Sequence, residues 1–190
     1  MKTVKKRIAT ITLATIMVVT VSCKGEKKGA EVSTPVENEM NDSKATVMSA
    51  ADNVKAEAIL SDYFSLKDAL VADDNSKAKQ TGLLLSKSLQ SLDLSKYDNK
   101  SELKDIIEEA NEQAHHISES DIENQRKHFK ILSKVLIDMV ALTGTKVTLY
   151  EQYCPMYDGG SAWLSAKEEV RNPYYGSQML TCGKVQREIK

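Results

Sequence analysis

The stretch SDIENQRKHFKILSKVLIDMVALTG, residues 120–144, decides the fold class. Ser120-Asp121-Ile122-Glu123 has the spacing of a capping box, in which a hydroxyl and a carboxylate three residues on satisfy each other's orphan backbone donors. Behind it Ile122, Gln125, Phe129, Leu132, Leu136 and Met139 alternate steps of three and four, the pattern of a helix that buries one seam. Thr143-Gly144 supplies the stop. A single apolar seam needs other helices to cover it, and the sequence upstream provides them.

From about Ala50 to Ala72, the residues Ile59, Tyr63, Leu66 and Leu70 form one stripe at helical spacing. Asp73-Asp74-Asn75-Ser76 supplies a break and an N-cap for a second helix to about Leu92, with Ala78, Leu85, Leu89 and Leu92 on one side. Asn99 or Ser101 caps a third, whose inward face is expected at Leu103, Ile106, Ala110, Ala114 and Ile117. Four amphipathic segments with short connections predict a mainly α chain built as an antiparallel four-helix bundle. These stripes read as core, and nothing on them suggests a cofactor box.

After Gly144 the character changes. Lys146 to Tyr153 is rich in β-branched and aromatic residues, so a short strand, as part of a β-hairpin, is expected there. Five of the seven tyrosines lie beyond this point, together with the single Trp163 and the glycines of a Gly159-Gly160 turn. The segment from about 144 to 190 therefore reads as a loop-rich region rich in Cys and Met, ordered around a site.

The N-terminus carries a different signal. Lys2, Lys5, Lys6 and Arg7 precede an apolar run from Ile8 to Val21, the pattern of a secretory leader and too short for a comfortable membrane span. Thr20-Val21-Ser22-Cys23 resembles the lipobox of bacterial lipoproteins, with Thr20 where that motif usually carries Leu. The resemblance implies a signal peptide over 1–22 and lipidation of Cys23; ordinary secretion is the alternative. Residues 23–49 are polar and read as a flexible tether, since they cannot repay ordering entropy by burial. Residues 50–190 then form a single domain. The expected location is the cell envelope, anchored to a membrane by lipid and facing the periplasm rather than the outer surface.

Loss of the leader removes four of the 26 Lys and Arg and none of the 27 Asp and Glu, leaving 22 against 27 and a net charge of −5. Such a chain is not expected to bind nucleic acid, which requires basic clusters. The sequence has no G-x-S-x-G, G-x-x-x-x-G-K-[ST], G-x-G-x-x-G or H-E-x-x-H, so an enzyme is not expected either.

With Cys23 taken by lipid, Cys154 and Cys182 are the remaining thiols. Cys154 stands two residues from Met156, and Met179 three from Cys182, so each segment offers one thiolate and one thioether. Such soft donors select Cu(I) or Ag(I) over harder ions. The alternative is a Cys154–Cys182 disulfide with the methionines as flexible filler, as befits an exported domain. A pair that binds metal when reduced and closes when oxidised satisfies both. His116, at the end of the third helix, is an accessory metal ligand in the first reading, although capping or solvent exposure explains His115-His116 as well. His128 reads as a helix-surface residue, and Arg126 as a group for a carboxylate or for the C-terminal loops. Trp163, Tyr174 and Tyr175 are candidate partner-binding residues, because aromatics favour interfaces.

The strings Tyr153-Cys154-Pro155-Met156, Ala162-Trp163-Leu164-Ser165, Asn172-Pro173-Tyr174-Tyr175-Gly176 and Met179-Leu180-Thr181-Cys182-Gly183 resemble a bacterial exported family of unknown function. The similarity extends back through Gln125-Arg126 and Phe129, and to Tyr63-Leu66-Lys67-Asp68-Ala69-Leu70. Members of that family occur as free exported proteins and as the C-terminal domain of periplasmic adaptor subunits of copper and silver efflux pumps. The resemblance implies a heavy-metal handling context and a metal efflux adaptor as a partner, without implying a catalysed reaction. Two functions are thus expected in competition: binding of Cu(I) or Ag(I), and a disulfide-stapled interaction module of an efflux or envelope complex.

Overall fold

The computed structural model describes residues 50–190, with side chains from residue 55 onward. The leader, the lipidation residue Cys23 and the tether over 23–49 lie outside the described residues. The described part is mainly helical, with a small three-stranded antiparallel sheet.

Helix α1 (Ala50–Val71) buries its stripe, Ile59, Tyr63, Leu66 and Leu70, completely. The chain then turns through Asp73, which takes a left-handed φ of 57°, and Asp74 caps α2 (Asn75–Gln90) by accepting the Lys77 N–H at 2.8 Å. Gly82 lets α2 approach the third helix: a Cβ there would stand 2.9 Å from the Ala114 carbonyl oxygen. A single 3₁₀ turn, Leu94–Lys96, leads to α3 (Lys100–Glu119). Its buried seam is Leu103, Ile107, Ala110, Ala114 and Ile117. The expected Ile106 is only partly buried, because alternating steps of four and three from Leu103 land on Ile107.

Helix α4 (Ile122–Thr143) starts one residue later than the capping-box reading places it. Its N-cap is Asp121, whose carboxylate accepts the Asn124 N–H at 3.0 Å, while Ser120 closes α3. A carboxylate caps as well as a hydroxyl and brings negative charge to the positive end of the helix dipole. Gln125 is fully buried in the seam, and its amide nitrogen reaches the carbonyls of Asn75, Ile117 and Ser120, each at 3.2 Å. One polar side chain thereby ties the start of α2, the end of α3 and the start of α4.

Each helix packs on the next along the chain, and α1 meets α4 where the Tyr63 ring stacks on Phe129 with centroids 5.2 Å apart. The sheet, β1 (Leu149–Cys154), β2 (Ser161–Ser165) and β3 (Lys184–Ile189), has the order β2-β1-β3, with β2 lying on α4. Trp163 and Leu164 of β2 are fully buried. The third strand has no counterpart in the sequence reading. Its residues Lys184-Val185-Gln186-Arg187-Glu188-Ile189 are mostly exposed, so it pairs through its backbone at a sheet edge and carries little apolar signal. The β1–β3 register shifts between Glu151 and Gln152. Gln152, fully buried, donates to the carbonyls of Lys167, Glu168 and Glu169 at 3.0 to 3.2 Å, which fixes the turn after β2.

Candidate functional site

Strand pairing creates the site. Cys154 ends β1, and Cys182 stands just before β3; with Tyr153 opposite Lys184 in an antiparallel ladder, the residues beyond those two positions must lie side by side. The two sulfurs are 2.9 Å apart across 28 residues of sequence. Cys154 is fully buried and Cys182 partly exposed. The Cys182 thiol is pushed up to about 11 from an ordinary 9.0, first by its hydrogen bond with Cys154, then by burial and by the electrostatic influence of the same neighbour. As long as both are reduced, the pair therefore favours keeping a proton between the sulfurs.

Three features hold Cys182 in place. Gly183 turns at a φ of 142°, and a Cβ there would meet the Tyr153 carbonyl at 2.9 Å and the Trp163 ring at 3.0 Å, so only glycine fits beneath the strand start. Asn172, fully buried, donates from its side-chain amide to the Cys182 carbonyl at 2.7 Å and from its backbone N–H to Leu180 at 2.7 Å. Its side-chain oxygen accepts the N–H groups of Tyr174 and Tyr175 at 2.8 and 3.2 Å, an Asx turn that Pro173 preorganises.

The far side of that turn is clamped to the helices. Arg126 of α4 donates to the Pro173 carbonyl and to the Leu70 carbonyl, each at 3.0 Å, and pairs with Asp73. The other Asp73 oxygen accepts the Ser177 N–H at 3.0 Å. The Asp73 carboxyl is held below its ordinary range, first by hydrogen bonding to the Ser177 side chain and then, against a desolvation penalty, by Arg126. Arg126 thus serves both expected targets at once, a carboxylate and the C-terminal loop.

The structure brings Cys154 and Cys182 together; Met156 and Met179 remain exposed at 61% and 39%. The Met156 carbonyl accepts the Tyr175 hydroxyl at 3.0 Å, and the Met179 carbonyl accepts the Cys182 N–H at 3.0 Å, so both methionines are anchored by backbone and free at the thioether. His116 belongs to another group, with Glu112 and His128 as its neighbours. Trp163 and Tyr174 are interior, packed edge to face at 5.8 Å, and the Tyr174 hydroxyl is spent on the Ala162 carbonyl at 2.6 Å; of the three aromatics only Tyr175 has exposed surface. Asn172 went unread in the sequence as a supporting residue, although Asn before Pro is a turn signal with a mechanism.

Among the described residues, no group of three or more His, Cys, Asp or Glu is placed to hold a metal ion, and no helix is long and apolar enough to cross a membrane. Two thiols in contact are nevertheless donors of the kind that suits a soft monovalent ion, with Met156 and Met179 close to them in sequence only. No curated protein and no solved structure matches the chain. A family match ends at residue 148, one residue short of β1, so it spans Tyr63, Arg126 and the packed helices and leaves the thiol segment outside. Residues 59–148 match the model of a family described as "Protein of unknown function (DUF3347)", which makes the helical part of this chain similar to that family.

Proposed function

We propose that this protein is a cell-envelope lipoprotein, anchored through Cys23, whose domain binds a soft heavy-metal ion, Cu(I) or Ag(I), and hands it on in an efflux context. In this reading an antiparallel four-helix bundle is the scaffold, and a metal efflux adaptor is the partner. The observation that carries it is the approach of Cys154 to Cys182, two thiols from distant segments, with the free thioethers of Met156 and Met179 beside them in sequence. To hold an ion, Cys154 and Cys182, whose sulfurs are 2.9 Å apart, would have to separate and give up their mutual hydrogen bond. Cys182, the partly exposed member, is the one with room to move. When bound, the ion supplies affinity and no reaction; the residues supply soft donors, a dry wall on the Cys154 side and release of the thiol protons. The role is binding rather than catalysis.

The same proximity favours a second reading, in which Cys154 and Cys182 close as a disulfide and staple an interaction module. Both readings meet in an anaerobic Cu(I) titration of the reduced full chain against a competing chelator, repeated with Cys154→Ser and Cys182→Ser together. Stoichiometric binding that disappears in the double variant supports the metal site. No binding by the reduced parent overturns it and leaves the stapled module.

A further inference from the structure

Lys67 of α1 is the one charged residue that is buried among the described residues. A lysine is seldom buried unless its ammonium is fully paired. Here the side chain is 8% exposed and its partner is the carboxylate of the next residue, Asp68, at 2.8 Å and 70% exposed. An ammonium has three N–H groups to satisfy; Asp68 meets one of them, and no second partner reaches Lys67 among the described residues. Lys67 lines a cavity of about 220 Å³ between α1 and the turn after β2, with Phe64, Lys167 and Arg171 also in its walls. That turn is held in place before any ligand arrives. The Ser165 hydroxyl donates to the Lys167 carbonyl at 2.8 Å and accepts the Lys167 N–H at 3.0 Å, and Gln152 grips the carbonyls of Lys167, Glu168 and Glu169 from behind.

Three cations, Lys67, Lys167 and Arg171, thus share the cavity with two carboxylates, Asp68 and Glu169. Glu169 takes the Arg171 Nε and Nη2 at 3.0 and 2.7 Å, and its side chain is 62% exposed. Both carboxylates stand toward solvent and can turn into water at little loss, since exposed pairs contribute little. The buried charge is positive and has nowhere else to go.

We propose that this cavity binds a small dianionic oxyanion, free phosphate or the phosphate group of a monoester, which replaces Asp68 on Lys67 and Glu169 on Arg171. Phosphate oxygens accept the unmet N–H groups of Lys67 and match the planar fork of Arg171, and the Phe64 ring lowers the local dielectric around them. The site is independent of the thiol pair, because Ser165 and Cys154 lie at opposite ends of the β1–β2 ladder.

Calorimetric titration of the full chain with inorganic phosphate, in a buffer free of phosphate, is expected to show one saturable equivalent. Lys67→Met keeps the apolar stem without the charge and weakens binding by roughly tenfold or more. Asp68→Asn removes the competing carboxylate while keeping all three cations, and tightens binding by roughly threefold. Lys104→Met, at an exposed lysine of α3, leaves binding unchanged. Glycerol 3-phosphate in place of phosphate separates the two sources: tighter binding assigns a monoester, weaker binding the free ion. Thermal melts verify folding, and Asp68→Asn, at an exposed position, carries the test even where Lys67→Met is destabilised. No saturable binding by the parent overturns the proposal. So does binding that survives Lys67→Met, that falls equally in Lys104→Met, or that Asp68→Asn leaves unchanged, since each would assign the ion to general surface charge.

Discussion

The hydroxyl of Tyr63 accepts the backbone N–H of Leu164 at 3.1 Å, across 101 residues of sequence. β2 is an edge strand, and an edge strand leaves backbone donors unpaired. Tyr63 meets one of these from α1 and shares a second hydrogen bond with the Ser133 hydroxyl of α4 at 2.8 Å. Full burial raises the pKa of Tyr63 well above the phenolic range, offset only in part by Ser133 and Leu164, so it stays neutral. One phenol thus joins two helices to the sheet that carries Cys154.

Tyr63→Phe keeps the ring on Phe129 but orphans the Leu164 N–H. Leaving a buried donor unsatisfied costs about 1–3 kcal/mol. Urea unfolding should show a lower midpoint at unchanged slope, and a loss below about 0.5 kcal/mol would mean that water replaces the hydroxyl.

Asn172→Ala removes the anchor of the Cys182 carbonyl and the acceptor of the Asx turn together. Under the proposed function, Cu(I) affinity of the reduced chain should fall by tenfold or more while the helical signal in circular dichroism stays intact. Unchanged affinity would show that the β1–β3 pairing alone positions the thiol.

Cys182 has a pH signature. Its folded value of about 11 lies above the ordinary 9.0, so the protonated pair stabilises the reduced protein fully below pH 9, and this contribution is lost as pH rises through 11. At pH 8 Cys182 should alkylate roughly 100-fold more slowly than a free thiol, because the thiolate is the reactive form. A rate equal to that of a model thiol would refute the hydrogen-bonded pair.

Asp73 titrates in the opposite sense. Its folded pKa lies below 3.8, so the clamp on Ser177 and Arg126 is complete above that value and is lost as pH falls through the folded one. Asp73→Asn should flatten acid denaturation in this range, and identical acid transitions in parent and variant would exclude a role for the clamp.

Gly176 and Gly144 form a controlled comparison, since both have left-handed φ, 54° and 70°. A Cβ at Gly176 would run into the Asp73 carboxylate and the Arg126 guanidinium, whereas nothing lies within 4 Å at Gly144. Gly144→Ala should cost only its conformational term, about 1–3 kcal/mol for a backbone at φ 70° and ψ −178°. Gly176→Ala should cost clearly more and release the Asp73–Ser177 contact, seen as a larger drop in melting temperature. Equal drops would mean that the loop yields without strain.

The helices were legible because their information is periodic. The stripes Ile59-Tyr63-Leu66-Leu70 and Phe129-Leu132-Leu136-Met139 are apolar at helical spacing and fully buried. Boundaries were less legible where neighbours compete for one role, as Ser120 and Asp121 do for the cap and Ile106 and Ile107 for the seam. Strand β3 left almost no trace, since its pairing is made by backbone groups that every residue carries.

The sequence by itself determined a mainly helical chain with a chemically distinct, sulfur- and tyrosine-rich end, because hydrophobic period and residue type are local properties. Tertiary structure alone decided that Cys154 and Cys182 meet, that Trp163 and Tyr174 face inward, and that His116 sides with His128 instead of the thiols. These are distances between residues far apart in the chain. They depend on strand register and on which helix faces close, which individual residue identities do not encode.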